Sequence, residues 1–225
     1  MNVPRFITNF PPNYPLYKKI SANGIYFITG MPIINRTNHL SKQDLIKSRL
    51  RLRRGDIILV GDLHQFCATL IGDPFTHVLM YVGRKRFIEA HQTGVRYINL
   101  HYIFTTYDTL AIVRLPQAIH HRQCLIKKAI KYAQKQLGKA YDFDFGKTKQ
   151  GFFCTKLVNE AYLAAGYKTG LSSTHNPHSL KAKVLSELSR AINALHPLRF
   201  MYGNFKVVML SHNLVQKGNK ITLEK

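Results

Sequence analysis

Between Gly55 and Leu115 the chain is a series of short apolar runs of strand length; after Pro116 the period changes to that of helices. This switch constrains the fold more than any other feature. Asp56–Val60, Thr76–Val82, Arg86–Ala90, Val95–Ile98 and Leu110–Leu115 read as strands, the second and third joined by Gly83-Arg84-Lys85. Ile119, Leu125, Ile126, Ala129, Ile130, Ala133 and Leu137 then recur at helical spacing, and Gly138 follows as a stop. A second helix opens at Cys154, with Leu157, Val158, Ala161 and Tyr162 on one face and Gly166 at its end. A third is expected over Leu180–Leu195, and Phe205–Leu210 reads as a late strand. Strands, then helices, then a strand imply an α+β fold with an antiparallel sheet. Upstream, Phe10–Pro15 reads as extended and Ile25–Ile28 as a short strand. Ser41-Lys42-Gln43-Asp44 has the spacing of a capping box and opens a helix that runs toward Arg54, with Gly55 as its stop.

Composition limits the function classes. The 225 residues carry 33 Lys plus Arg and 11 Asp plus Glu, a net charge of +22. Only 20% of residues are charged, below the usual share of about a quarter, so the excess reflects missing acids more than added bases. Nine of the eleven acids fall between Asp44 and Glu160. A hydrophobic fraction of 45% excludes a disordered basic tail, and ordinary glycine and proline contents exclude collagen-like chains. Cys67, Cys124 and Cys154 are odd in number, widely spaced and free of any C-x-x-C pair. No disulfide framework, metal or cofactor is therefore expected. No secretory signal or membrane span is visible, so a cytoplasmic location or delivery by a non-classical route is expected. The run Arg49-Leu50-Arg51-Leu52-Arg53-Arg54 is either a helix end matched to its dipole or an anion-binding patch.

Cys154 is the most informative residue. It falls in the first turn of an amphipathic helix, where partial positive charge favours a thiolate and where backbone N–H groups can hold an oxyanion. The alternative is a buried structural cysteine. A nucleophilic thiol needs a base, commonly histidine. Alternation along its strand puts His77 on one face with Leu79 and Tyr81. If Val82 pairs with Arg86, His91 lies opposite His77 and Glu89 one diagonal step away, within side-chain reach. Glu89 can then orient the imidazole, with His91 as a rival for that role. A polar sheet residue at 77 and a surface strand residue at 89 are the structural alternatives.

Together, Gly55–Leu59, Thr76–Val78 through Gly83, Ile88-Glu89-Ala90 with Gly94-Val95, Leu137–Asp142 and Phe153–Val158 resemble the permuted branch of the NlpC/P60 superfamily of papain-like cysteine hydrolases. The nearest likeness is to permuted papain-like amidases of the YiiX/YaeF type. The order His77 before Cys154 separates this branch from ordinary NlpC/P60 domains. The resemblance covers about Gly55 to Gly166. It implies an antiparallel sheet or small barrel packed on a helix that carries the nucleophile. It divides the chain into a basic N-terminal extension, 1–54, and a hydrolase domain, 55–225. It also implies that Cys154 is the nucleophile, His77 the general base and Glu89 its orienting group. Tyr141 would stand near the oxyanion region, the alternative being a core aromatic of the loop. Lys156 departs from the small residues usual beside the nucleophile.

The implied chemistry is acyl transfer through a thioester, on an amide or an ester. Peptide, amide or lipid substrates are all open, and the positive charge suits a lipid-acting enzyme at an anionic membrane. A nucleic-acid-binding module on a hydrolase-like fold is the competing reading. It rests on charge alone, because no zinc-finger, RNP or bZIP pattern is present.

Overall fold

A computed structural model describes residues 6–29, 40–64, 73–143, 151–171, 196–218 and 220–224. The expected helix over Leu180–Leu195 and Cys67 lie outside these residues. Six strands form one antiparallel sheet: β1 (Ile57–Gly61), β2 (His77–Gly83), β3 (Arg86–His91), β4 (Gly94–Asn99), β5 (Thr109–Arg114) and β6 (Lys206–Leu210). Their order is β4-β3-β2-β1-β5-β6. All six were legible as apolar runs, and their bounds shift by a residue or two.

Alternation along these strands feeds two cores. Ile57, Leu59, Val78, Met80, Ile88 and Val113 face α4 (Arg122–Gln134) and α5 (Cys154–Ala164), which bring Ile126, Ile130, Leu157, Val158 and Tyr162. Ile58, Val60, Leu79, Phe87 and Ile112 face the other way, toward Ile103 and Phe104 of α3 (Leu100–Thr106). A sheet covered on both faces explains why its central strands are apolar at nearly every position.

Helix α2 (Lys42–Arg51) forms where the capping box predicts: Asp44 N–H donates to Ser41 Oγ, and Ser41 N–H donates to the Asp44 carboxylate. Asp44 also accepts from the His212 backbone and meets its ring at 2.6 Å, which fastens α2 beside the end of β6. Gly55 then turns the chain into β1 at φ +85°. A Cβ there would lie 2.7 Å from Ile126 Cγ2, so no other residue fits without displacement. Asp56 is fully buried, and Arg114 grips both its oxygens, at 2.6 and 2.8 Å.

Two expectations need correction. Ile25–Ile28 is not a strand; it lies in α1 (Leu16–Thr29), which starts directly after Pro15. A four-residue apolar run does not distinguish strand from helix, and here the helix begins far enough upstream to absorb it. The β2–β3 register also differs at its turn. Gly83, not Val82, pairs with Arg86, and a bulge absorbs the extra residue. Arg84 and Lys85 both take left-handed φ, at 51° and 58°, as a two-residue hairpin turn requires. Away from the bulge the pairs Met80↔Ile88 and Tyr81↔Phe87 keep the expected frame, so His91 comes beside His77. Helix α3, the short α6 (Arg199–Tyr202) and the hairpin of β7 (Leu214–Lys217) and β8 (Lys220–Leu223) were not read from the sequence. No helix among the described residues is long and apolar enough to cross a membrane.

Candidate active site

Three elements bring the site together. His77 is the first residue of β2, Glu89 sits within β3, and Cys154 opens α5, which packs on both strands. Cys154 is near enough to the His77 ring to be the largest influence raising its pKa. On the other side, His77 Nε2 lies 2.9 Å from Glu89 Oε2. Cys154 and Glu89 thus both act on the same imidazole. Phe153, the N-cap of α5, offers no capping side chain, so side-chain capping does not occupy the first-turn N–H groups beside Cys154.

Glu89 is fully buried and holds a second partner. Arg96 Nε donates to its Oε1 at 2.8 Å, and an Arg96 Nη2 group donates to Tyr102 Oη at 3.2 Å. Glu89 and Arg96 are direct cross-strand partners of β3 and β4. Burial alone would raise the Glu89 pKa. Hydrogen bonding and charge attraction to His77, with the charge of Arg96, bring it instead down to about 2. Burial alone would likewise lower His77. Charge attraction and hydrogen bonding to Cys154, then to Glu89, raise it to about 10. His77 is therefore an imidazolium held between a sulfur and a carboxylate at neutral pH. The Tyr107 ring stacks on it at 6.0 Å, and the His91 ring meets it edge-on at 6.4 Å. His91 has the opposite fate: burial pulls it down to about 4, so it stays neutral. Its Nδ1 is buried without a hydrogen-bond partner among the described residues. Glu89, not His91, is the hydrogen-bond partner of His77.

Tyr141 forms an isolated parallel bridge with Phe152, two residues before Cys154, and its ring packs on Phe143 at 4.9 Å. Lys156 turns away from the thiol. Its Nζ donates to Asp142 Oδ2 at 3.2 Å and to the Gly151 carbonyl at 3.1 Å. It fastens the start of α5 to the preceding loop, and the buried Asp142 offsets its charge near the positive helix end.

Sequence reasoning missed Arg96, Tyr102 and Tyr107. Arg96 had a usable signal: the tight β3–β4 turn at Gln92-Thr93 sets it opposite Glu89 as a charged cross-strand pair. It also missed a cluster beside the site. Asp62 and His64 follow β1, Asp108 precedes β5, and one donor atom from each lies within 4.8 Å of the others.

Among curated proteins, none matches the chain. A solved structure of the metalloprotein YiiX from Escherichia coli O157:H7 superposes with a TM-score of 0.57 at 20% identity, covering 71% of this chain and 97% of that one, which shows a shared fold. The family model of the permuted papain-like amidase enzymes, YaeF/YiiX, C92 family, matches residues 51–210, more than half of the chain. The protein thus belongs to the permuted papain-like amidases of the YaeF/YiiX (C92) family and is a cysteine-type hydrolase.

Proposed function

We propose that the enzyme cleaves amide bonds by a thiolate–imidazolium mechanism, with Cys154 as nucleophile, His77 as acid and base, and Glu89 as the group that orients and charges His77. The buried His77–Glu89 pair at 2.9 Å, with Cys154 as the largest influence raising the His77 pKa, supports this reading above all. The thiolate attacks the carbonyl carbon, and N–H groups at the start of α5 receive the oxyanion. His77 gives its proton to the departing amine, leaving a thioester. Neutral His77 then takes a proton from water as that water attacks, and the acid product leaves. We place Tyr141 at the edge of the oxyanion region, on the strength of its bridge to Phe152. We also take residues 1–54 as a basic extension of the hydrolase domain, 55–225.

The test is covalent capture. An acyl electrophile that reacts with activated thiols should label the wild type and Cys124→Ala, and should not label Cys154→Ala. Cys124 is an exposed free thiol and serves as the control for non-specific reaction. Equal labelling of Cys154→Ala would refute the assignment.

A second reading, hydrolysis or transfer of lipid acyl groups at an anionic membrane, is favoured by one surface. Helix α2 buries Asp44 and Ser48 but exposes Ile46 and Leu50, at 48% and 81%. Lys47, Arg49, Arg53 and Arg54, close to them in sequence, are exposed, and the Arg54 stem lies against Gly83, beside Arg84 and Lys85. Exposed apolar anchors accompanied by cations suit an anionic lipid surface.

A further inference from the structure

We infer that helix α1 is an interfacial anchor: its outward apolar face seats in the headgroup region of an anionic bilayer and holds the candidate active site at that surface. This rests on the membrane reading above and adds to it a contact separate from α2.

At 3.6 residues per turn, Leu16, Tyr17, Ile20 and Phe27 fall within about 100° of one side of α1. That side faces solvent: the four are 74%, 67%, 66% and 55% exposed. The opposite side is fixed to the rest of the chain. Ala22 is buried there. Asn23 Oδ1 accepts from the Ile7 N–H at 2.7 Å, and Asn23 Nδ2 donates to the Lys19 carbonyl at 2.9 Å. A surface helix ordinarily turns its apolar stripe inward and its polar side to water. Here an asparagine points inward and the large apolar residues point out. A contiguous exposed apolar face of this kind marks an interaction surface.

Charge selects the occupant. Residues 1–43 carry Arg5, Lys18, Lys19, Arg36 and Lys42 and no Asp or Glu. A second copy would bring the same uncompensated charge to the contact, and two chains of +22 repel. Nucleic acid would take the cations but offers no apolar layer for Leu16 and Ile20. An anionic bilayer meets both needs: its acyl boundary takes the apolar side chains and its headgroups take the lysines.

The segment ahead of α1 ties it to the site. Asn9 Nδ2 donates to the Thr93 carbonyl at 3.1 Å and to the Gly138 carbonyl at 3.4 Å. Gly94 makes room for it, since a Cβ there would lie 2.5 Å from Asn9 Nδ2. Phe10 stacks on Tyr14 at 5.4 Å and packs on Phe143 at 5.5 Å, and Phe143 meets Tyr141, in the stretch that precedes Cys154. A helix seated in lipid would therefore hold that stretch close to the surface from which a lipid acyl group is drawn.

The experiment uses the full chain and vesicles of phosphatidylcholine, with and without phosphatidylserine. The sequence contains no Trp, so Phe27→Trp places a single such fluorophore on the face in question. Its emission should shift to the blue and escape an aqueous quencher with the anionic vesicles and not with the neutral ones. Ile20→Ser and Phe27→Ser should each weaken sedimentation with anionic vesicles by about 10-fold, the loss of one partly buried apolar anchor. Both side chains are exposed, so the melting temperature should hardly move. A wild type that binds no vesicles overturns the inference together with the membrane reading. Binding that Leu50→Glu weakens and that both α1 variants leave unchanged overturns the inference alone and leaves α2 as the contact. A dimer that Ile20→Ser dissociates would assign the face to a second copy.

Discussion

Glu89 carries two loads at one position: it charges His77 and neutralises Arg96. Glu89→Gln keeps the shape and removes the charge. The His77 imidazolium then loses its carboxylate, so the alkaline limb of the pH–rate profile, set by His77 near 10, should move down. Loss of the orienting anion in a Ser-His-Asp triad costs about 10⁴-fold in kcat, and a loss toward that size is expected here. An unmoved alkaline limb would separate Glu89 from His77. The same residues shape stability. His77 has its pKa raised above 6.5, so its contribution is complete below pH 6.5 and is lost as pH rises through about 10. Glu89 is depressed, so its contribution is present above 4.5 and is lost as pH falls through about 2. His91 is lowered to about 4, so the unfolded chain binds its proton first, and stability falls as pH drops from 6.5 toward 4. These groups together set a maximum near pH 6.5. Denaturant unfolding of His91→Asn should show a weaker decline between pH 6.5 and 4 and an unchanged alkaline side. An unchanged acid-side decline would clear His91. Cys154, His77 and Glu89 could be singled out in the sequence because helix position and strand parity are local properties. Tyr107 and Asp108 could not, since their place beside His77 depends on how β1, β2 and β5 pair.

At the scale of elements, the joint between α2 and β1 is tightly constrained. Gly55 has positive φ and also meets Ile126, whereas Gly138, after α4, has φ +79° and open space around its missing Cβ. Gly138→Ala should therefore cost only the left-handed backbone penalty, about 1–2 kcal/mol. Gly55→Ala adds displacement of Ile126 in the core and should cost more, by about 1–3 kcal/mol, the usual range for overpacking. Equal losses in denaturant unfolding would mean that α4 yields freely. Glycines and caps were legible at this scale because each is decided within four residues, as Ser41 and Asp44 show. Helix α1 was misread because its apolar residues do not form a buried stripe: Leu16, Ile20 and Phe27 are all exposed. The β2–β3 bulge was missed because strand alternation is silent about which residue a turn expels.

Among the described residues most acids are buried, whereas Lys47, Arg49, Arg53, Arg54, Lys127, Lys128 and Lys131 are exposed. Asp44, Asp56, Asp62, Glu89, Asp108 and Asp142 are all buried, so few described acids interrupt the exposed part of the +22 charge. Exposed cations of α2 and the β2–β3 turn accompany exposed Ile46 and Leu50, which gives the surface both an electrostatic and an apolar component. Each Lys or Arg near an anionic bilayer contributes about 1 kcal/mol. The double change Arg53→Ala with Arg54→Ala should then weaken binding to phosphatidylserine-containing vesicles by about 30-fold. Leu50→Glu should weaken it as well, because it replaces an anchor with a like charge to the lipid. Wild-type binding should fall as salt screens the field, and neutral phosphatidylcholine vesicles should retain little protein. Cys154→Ala should bind as the wild type does, which separates docking from catalysis. Vesicle binding indifferent to Leu50→Glu and to lipid charge would remove the membrane reading. Salt-steep retention on duplex DNA with no vesicle binding would instead assign the surface to nucleic acid.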